Sequence, residues 1–544
     1  MSAAVRAEHL GFAYGGGSRA VFEDLTFQID EGELFALIGP SGGGKSTLLR
    51  CMNGLVPHFH GGSFSGSIQV AGIDTRTRQP RDLAHVAGLV MQEPEAQVVA
   101  RTVEDEIVFG MENLGASRTL IRKRLEEVLD ALNIAALRVR ELRSLSGGEL
   151  QRVAIAAVLT MQPRVLLLDE PTAQLDPQAA EDVLNAAVNL CSDAGLTVVI
   201  AEHRLERLAQ YAGRVMLVPG DGSVRIGAAR DILRNRNEAP PVMRIGRRLA
   251  WSPVPLSVGE ARRFAGARQS PAAPAPARGA AGERMIETRA LEAFLGQHHA
   301  LRGVSVALHA GEVVAVMGRN GAGKTTLLRA LAGLLRPRSG EVIRHPGLRG
   351  GYTDLAFVAQ DPSSLLYRES VRDEIADVLK GTHRGGDVDA VLAEWRLGPL
   401  AATHPVDLSV GQRQRTAIAA MLAGDPRVTL LDEPTRGMDH DTRELLVRNL
   451  RARRDRGAAL ALATHDVELA ASVADRVVLL AEGEVVADGP AAEVLSDSIT
   501  FSTQANKLFG GRVLTVEDAI AAARTGRTAN GQPVTASTAI GGAP

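Results

Sequence analysis

The sequence predicts an α/β protein made of two tandem copies of one domain, each a phosphate-loop unit with a helical insert. Three repeats predict it. GPSGGGKST at 39–47 recurs as GRNGAGKTT at 318–326. LSGGELQR at 145–152 recurs as LSVGQRQR at 408–415, and VLLLDEPT at 165–172 recurs as VTLLDEPT at 428–435, these two at one shared offset. The second copy is thus shorter between its phosphate loop and its LS-x-G segment, while each end keeps its own spacing. Two domains explain this pattern better than a solenoid of short repeats.

Composition agrees with that division. At 544 residues the chain is too long for one core, and 45% hydrophobic with 23% charged residues is ordinary globular usage. A formal charge of -2 gives no electrostatic footprint for nucleic acid. Cys51 and Cys191 stand far apart, which argues against a disulfide framework or a CxxC site and for a reducing compartment. No apolar run approaches the roughly 18 residues that span a bilayer, and the opening MSAAVRAEHL lacks the apolar core of a signal peptide. A membrane role is then expected to be peripheral.

The expected boundaries are a first domain over 1–236, a linker over 237–283, a second domain over 284–510 and a tail over 511–544. The linker is rich in Pro, Ala, Gly and Arg, a composition poor in core-forming residues. Within it, PLSVGEARR at 255–263 resembles VLTVEDAIA at 513–521, and Ser257 with Glu260, like Thr515 with Asp518, has the spacing of a helix capping box. A short appended helix is expected after each domain. The segment after about residue 524 has no apolar periodicity and is expected to be disordered.

In the first domain the apolar run Leu34 to Ile38 leads into Gly39, Pro40, Ser41, Gly42, Gly43, Gly44, Lys45, Ser46 and Thr47, and a helical-looking TLLRCMNGL follows. Strand, Gly-rich loop and helix together let backbone N–H groups converge on phosphate oxygens at the positive end of the helix. Lys45 reaches the β- and γ-phosphates in this pattern, and the Ser46 hydroxyl serves Mg²⁺. Behind the run Val313 to Met317, the second loop is Gly318, Arg319, Asn320, Gly321, Ala322, Gly323, Lys324, Thr325 and Thr326. Further on, the apolar runs Val165 to Leu168 and Val428 to Leu431 each end in two acids, Asp169-Glu170 and Asp432-Glu433. Strand alternation turns the two side chains different ways, so the Asp is free for the Mg²⁺ shell and the Glu for the attacking water. Ser146-Gly147-Gly148-Glu149 heads a segment with helical apolar spacing, and Ser409-Val410-Gly411-Gln412 heads its counterpart.

With these motifs in hand, the chain resembles the ATP-binding-cassette ATPases over most of residues 5 to 235 and 286 to 500. The resemblance implies two P-loop NTPase domains of the ABC type, each with a helical signature subdomain, that bind ATP and Mg²⁺ and hydrolyse the nucleotide. It implies that Gln92 and Gln360 sense the metal and water, with Ser46, Asp169, Thr325 and Asp432 completing the metal shells. His203 and His465 match the switch histidine near the γ-phosphate, and Tyr14 and Phe294 match the aromatic that stacks on adenine. It also implies intramolecular head-to-tail pairing, the Lys45 loop facing Ser409 to Gln412 and the Lys324 loop facing Ser146 to Glu149. Val410 stands in place of the signature's first Gly and Glu149 in place of its final Gln. Both sites keep Lys, Asp, Glu and His, so both are expected to hydrolyse ATP, unequally.

The segment Gln92-Glu-Pro-Glu-Ala-Gln97, the insert NGLVPHFHGG at 53–62, AEHRLE at 201–206 and TRGMDHDTRELL at 435–446 resemble the fused ATPases of energy-coupling-factor importers. That resemblance implies uptake of a vitamin, a vitamin precursor or a transition-metal ion, a transmembrane coupling subunit, a membrane-embedded substrate-binding subunit, and a place on the cytoplasmic face of the membrane. The second copy reads Gln360-Asp-Pro-Ser-Ser-Leu365, so the two coupling surfaces are expected to differ. Two other classes share the twin-cassette layout: soluble ATPases acting on ribosomes, which join their cassettes by a long charged helix, and fused sugar-importer ATPases, often with one degenerate cassette. His58 and His60 in a Gly-rich loop form an incomplete metal site. Arg244, Arg247, Arg248, Arg262, Arg263 and Arg268 read as solvated linker, with contact to lipid headgroups as the alternative.

Overall fold

The computed structural model describes residues 2–15, 20–173, 175–265, 282–348, 353–382, 386–496, 498 and 500–525. The chain divides into two compact units, Met1–Glu238 and Ala239–Pro544.

In the first unit a six-stranded sheet runs in the order Arg225–Ala228, Arg214–Leu217, Leu34–Ile38, Thr197–Ala201, Val165–Asp169, Ala87–Val90. Its inner strands pair in parallel. Leu34–Ile38, Val165–Asp169 and Thr197–Ala201 are buried at every position, which is why they read as unbroken apolar runs rather than as alternation. A four-stranded antiparallel sheet built on Ala3–Ala13 packs its residues Val5, Ala7, Leu10 and Phe12 into the same core as Leu48, Leu49, Phe35 and Leu167. The signature helix Gly147–Leu159 packs beside Val103–Asn113 and Arg118–Ala131 to make the helical insert.

The second unit repeats the plan, with the order Leu355–Val358, Val428–Asp432, Ala459–Ala463, Val313–Met317, Arg476–Ala481, Glu484–Pro490. Its insert is smaller. The helix Val388–Glu394 has 7 residues where Arg118–Ala131 has 14, which accounts for part of the shorter spacing read from the sequence.

The expected linker requires a correction over its first half. Val258–Ala265 is the appended helix expected there, but Pro241–Arg248 is a second helix, and the two bury Val242, Met243, Ile245 and Ala261. They meet Gln504–Phe509 and Val516–Thr525 in a small core of Ile245, Ala505, Phe509, Val513, Val516, Ala519 and Ile520. Closely spaced apolar residues in the first helix supply a buried stripe that the Pro- and Arg-rich average concealed. Ser257 Oγ accepts from Glu260 N at 3.1 Å while Glu260 Oε2 accepts from Leu256 N at 3.0 Å. Thr515 and Asp518 make the reciprocal pair at 3.1 and 2.9 Å. Arg268 and the rest of 266–281, together with the tail 526–544 expected to be disordered, lie outside the described residues.

Candidate functional site

In each unit the parallel strands converge their C-terminal ends on one phosphate loop. Gly39 follows Leu34–Ile38 with φ at +143°, and a Cβ there would stand 2.1 Å from the Val218 carbonyl oxygen. Gly318 has φ at +147° and a Cβ would stand 2.2 Å from the Leu480 oxygen. Only glycine fits either place. Gly44 and Gly323, also left-handed, open the helices Lys45–Met52 and Lys324–Ala332. The lysines fold back over their loops: Lys45 Nζ donates to the Gly39 and Pro40 carbonyls at 3.0 Å each, and Lys324 Nζ to Gly318 and Arg319 at 2.8 and 3.0 Å. Both ammonium groups are therefore held over the cradle that a phosphate chain would fill.

Behind each loop stand the strand-end acids. Ser46 Oγ donates to Asp169 Oδ1 at 3.0 Å. Burial, aided by neighbouring Glu170 and opposed by the Ser46 hydrogen bond and Lys45, pushes Asp169 up to about 6. Asp432, 1% exposed, is likewise pushed up to about 6, chiefly by burial, with the neighbouring Thr325 hydroxyl opposing the rise. Neither Asp432 carboxylate oxygen makes a well-formed hydrogen bond. A buried carboxylate with open lone pairs beside a hydroxyl-bearing helix start is the donor chemistry Mg²⁺ takes, hard oxygen ligands with room for water. The residues present fit that ion.

The raised value has a sign that can be tested without nucleotide. A carboxyl whose folded value exceeds its unfolded one contributes fully below about pH 4, and that contribution is lost as pH rises through about 6. Asp432→Asn should therefore raise the thermal midpoint of the nucleotide-free protein at pH 7.5, with a much smaller gain at pH 4.5. An equal shift at both pH values would exclude a buried charge as the cause.

Glu170 and Glu433 sit at the turn after their strands with φ at +47° and +46°, a left-handed strain on non-glycine residues that recurs at functional positions. Gln92 Nε2 donates to Glu170 Oε2 at 2.9 Å, and His203 Nε2 meets Glu170 Oε1 at 2.6 Å. Burial pushes Glu170 up, but the charge and hydrogen bond of His203, with Lys45, outweigh it and hold the carboxyl below its ordinary value. His465 Nδ1 meets Glu433 Oε1 at 2.8 Å. Gln360 is exposed, so the two glutamines do not stand alike.

A family model described as ABC transporter matches residues 22–173 and again 301–436. The chain belongs to the ABC transporter ATPase family. An ABC transporter ATP-binding protein of Streptomyces avermitilis, provisionally so named, is 44% identical over 93% of this chain and 97% of its own length. A Bacillus subtilis relative provisionally named an HMP/thiamine import ATP-binding protein, YkoD, is 32% identical over 90% of this chain and 92% of its own. A solved archaeal ribosome recycling factor is 22% identical with a TM-score of 0.60, covering 94% of this chain and 97% of its own, a likeness of fold alone. This ABC ATPase thus carries two ATP-binding domains of the family on one chain.

The aromatics of the two cassettes differ in placement. Tyr14 OH lies 3.0 Å from Thr47 Oγ1, beside the phosphate-loop helix. Phe294 instead stacks on His299 at 4.2 Å and carries the Arg338 guanidinium 4.8 Å above its ring. Strand pairing sets Phe12 against Phe22 and Ala293 against Leu301, so the place two residues on, held by Tyr14 in the first cassette, is held in the second by Leu295. By that count Phe294 falls one position short of the place Tyr14 holds. The two aromatics expected beside adenine thus stand in different surroundings.

Both signature helices begin in full capping boxes. Ser146 Oγ accepts from Glu149 N at 3.3 Å and Glu149 Oε2 accepts from Ser146 N at 2.7 Å; Ser409 and Gln412 do the same at 3.3 and 2.9 Å. Glu and Gln serve this cap equally, so Glu149 in place of Gln leaves the helix start intact. A Cβ at Gly147 would reach nothing nearer than Leu175 Cδ2 at 3.6 Å, which is why the second copy admits Val410 there. At Gly411 a Cβ would stand 2.0 Å from the Gly437 oxygen.

Sequence reasoning missed three buried acids. Glu106 Oε2 accepts from Val99 and Ala100 N at 2.9 and 2.8 Å, and Glu374 Oε1 accepts from Arg368 N at 2.5 Å, each clamping the end of the segment that carries Gln92 or Gln360. Their matching settings, VEDEI at 103–107 and VRDEI at 371–375, were the available signal. Glu202, next to His203, is the third.

Proposed function

We infer that this ABC ATPase powers an importer of the energy-coupling-factor type, hydrolysing ATP on the cytoplasmic face of a membrane for separate transmembrane and substrate-binding subunits. The observation that carries the reading is the pairing of two cassettes that both keep their Lys, Asp, Glu and His with two different segments after Gln92 and Gln360. A charged, asymmetric pair of surfaces suits an asymmetric membrane partner. The likeness along nearly the whole chain to a relative named for thiamine import supports the same reading and a vitamin-like cargo. No described helix is long and apolar enough to cross a membrane, so the channel belongs to other subunits in this reading.

Within each cassette the loop amides and Lys45 or Lys324 bind the triphosphate, and the strand-end Asp with Ser46 or Thr325, and Gln92 or Gln360 as the resemblance implies, would hold Mg²⁺, which would neutralise phosphate charge. Glu170 and Glu433 orient the attacking water and take its proton, and His203 and His465 hold the acids in place. Each signature segment serves the nucleotide of the other cassette, as the resemblance implies. His58 donates to the Thr75 carbonyl at 3.1 Å and His60 packs edge-on to Tyr14, so both have structural work and no cargo role is assigned to them.

The reading is tested by purifying the full chain from its native membrane in mild detergent. Co-purification of integral membrane proteins supports it, and co-purification of ribosomes instead would replace it with ribosome-directed work. Glu95, exposed in the coupling segment, is placed to grip a basic residue of a membrane-subunit helix. Glu95→Ala should lower uptake severalfold with basal ATP hydrolysis intact; unchanged uptake would remove Glu95 from the interface.

A further inference from the structure

The two switch histidines reach their acids through different ring nitrogens. His203 offers Nε2 to Glu170, whereas His465 offers Nδ1 to Glu433 and keeps Nε2 buried without a partner. Nδ1 is bonded to the ring carbon that carries the side chain, and Nε2 lies at the far edge of the ring. His203 therefore meets its acid with the far edge of the ring, and His465 meets its acid with the side nearest the backbone. The backbones give no reason for this, since Glu170 N donates to Ala201 O and Glu433 N to Ala463 O at the same 2.9 Å.

Between the strand-end alanine and the histidine the two cassettes carry different residues. Thr464 follows Ala463 and its hydroxyl lies 3.5 Å from Glu433 Oε2, an inward anchor for that acid. Glu202 follows Ala201 in the first cassette. Its side chain is 1% exposed and engaged elsewhere: it accepts from the Thr172 hydroxyl, from His203 N at 2.8 Å and from Arg204 N at 3.4 Å. Thr172 lies in the turn directly after Glu170, so Glu202 ties the loop that bears the acid to the strand end that bears the histidine. Deprived of an inward anchor, Glu170 is held by Gln92 Nε2 at 2.9 Å and by His203 Nε2, whose ring edge is 3.2 Å from Lys45 Nζ.

We propose that Glu202 is a positioning residue of the first site, holding His203 and the Thr172 turn so that Glu170 extends toward the Lys45 loop. The proposal rests on the reading that Glu170 and Glu433 are the hydrolytic acids. It concerns the placement of Glu170 and adds no step to the chemistry.

The experiment uses the full chain carrying Glu433→Gln, so that turnover reports the first site. In that background Glu202→Ala should lower kcat about tenfold, since small misplacements of a catalytic group are costly, with KM for ATP changed less than about twofold. Glu202→Gln should recover most of the loss, because its amide oxygen can accept from His203 N and its NH₂ can donate to the Thr172 hydroxyl. Glu202→Thr copies the second cassette and serves as the test if the Ala chain does not fold; its crystal structure should show His203 turned with Nδ1 toward Glu170. Parental kcat in Glu202→Ala, a Gln variant no better than Ala, or an unturned ring in Glu202→Thr would each overturn the proposal. Failure of the underlying reading is distinguishable, since Glu170→Gln in the same background would then leave turnover unchanged.

Discussion

Replacing Glu170 and Glu433 together by glutamine should lower ATP turnover at least about 100-fold while leaving ATP bound. A positioned general base contributes about 10²–10⁴ to rate, and the exchange removes the base without removing its shape. Gln at either place can still accept hydrogen bonds of the kind Gln92 gives Glu170, so the pocket should persist. Phosphate release measured beside nucleotide retention on a sizing column separates the two effects. The single variants should divide the loss unequally, because Glu170 is held by Gln92 and Nε2 of its histidine whereas Glu433 is held by Nδ1. Full turnover in the double variant would remove both acids from the chemistry.

Replacing Lys45 and Lys324 by alanine acts earlier, on binding. Both ammonium groups are buried and already aimed across their loops at the carbonyls of Gly39 and Pro40 or Gly318 and Arg319. Their loss leaves the triphosphate charge facing backbone amides alone, and truncating one partner of a buried charged contact costs about 2–5 kcal/mol of binding, with about 1.4 kcal/mol for each tenfold in affinity. Titration with a fluorescent ATP analogue should show affinity reduced about 100-fold at both sites in the double variant and at one site in each single variant. Two sites still filling at wild-type concentration in the double variant would show that these lysines do not read the phosphates.

Much of this was legible in the sequence because the chemistry is local. A glycine forced into positive φ beside a neighbouring carbonyl, as at Gly39 and Gly318, a lysine next to a helix start and an acid at the end of a fully buried strand leave short, spaced patterns. Their repetition on one chain removed chance as an explanation. The helical module was hidden because composition averages over a window: the apolar stripe of Val242, Met243 and Ile245 is diluted by the prolines and arginines around it. The different surroundings of Phe294 and Tyr14 were not legible, because an aromatic near the right distance from a phosphate loop says nothing of strand register. Glu202 stands in the AEHRLE run with nothing in the sequence to give it a role. A buried acid announces itself only through the three donors that fold against it, one of which, Thr172, comes from 30 residues earlier in the chain.

The shared core of Ile245 with Phe509, Val513 and Ile520 has a bearing on how such a gene can be arranged. A break in the reading frame between residues 265 and 282 would yield two polypeptides, and the first would still end in the helices whose apolar stripe the second needs covered. Gene fission at that point would leave each product with one half of a shared apolar contact by which the two could rejoin.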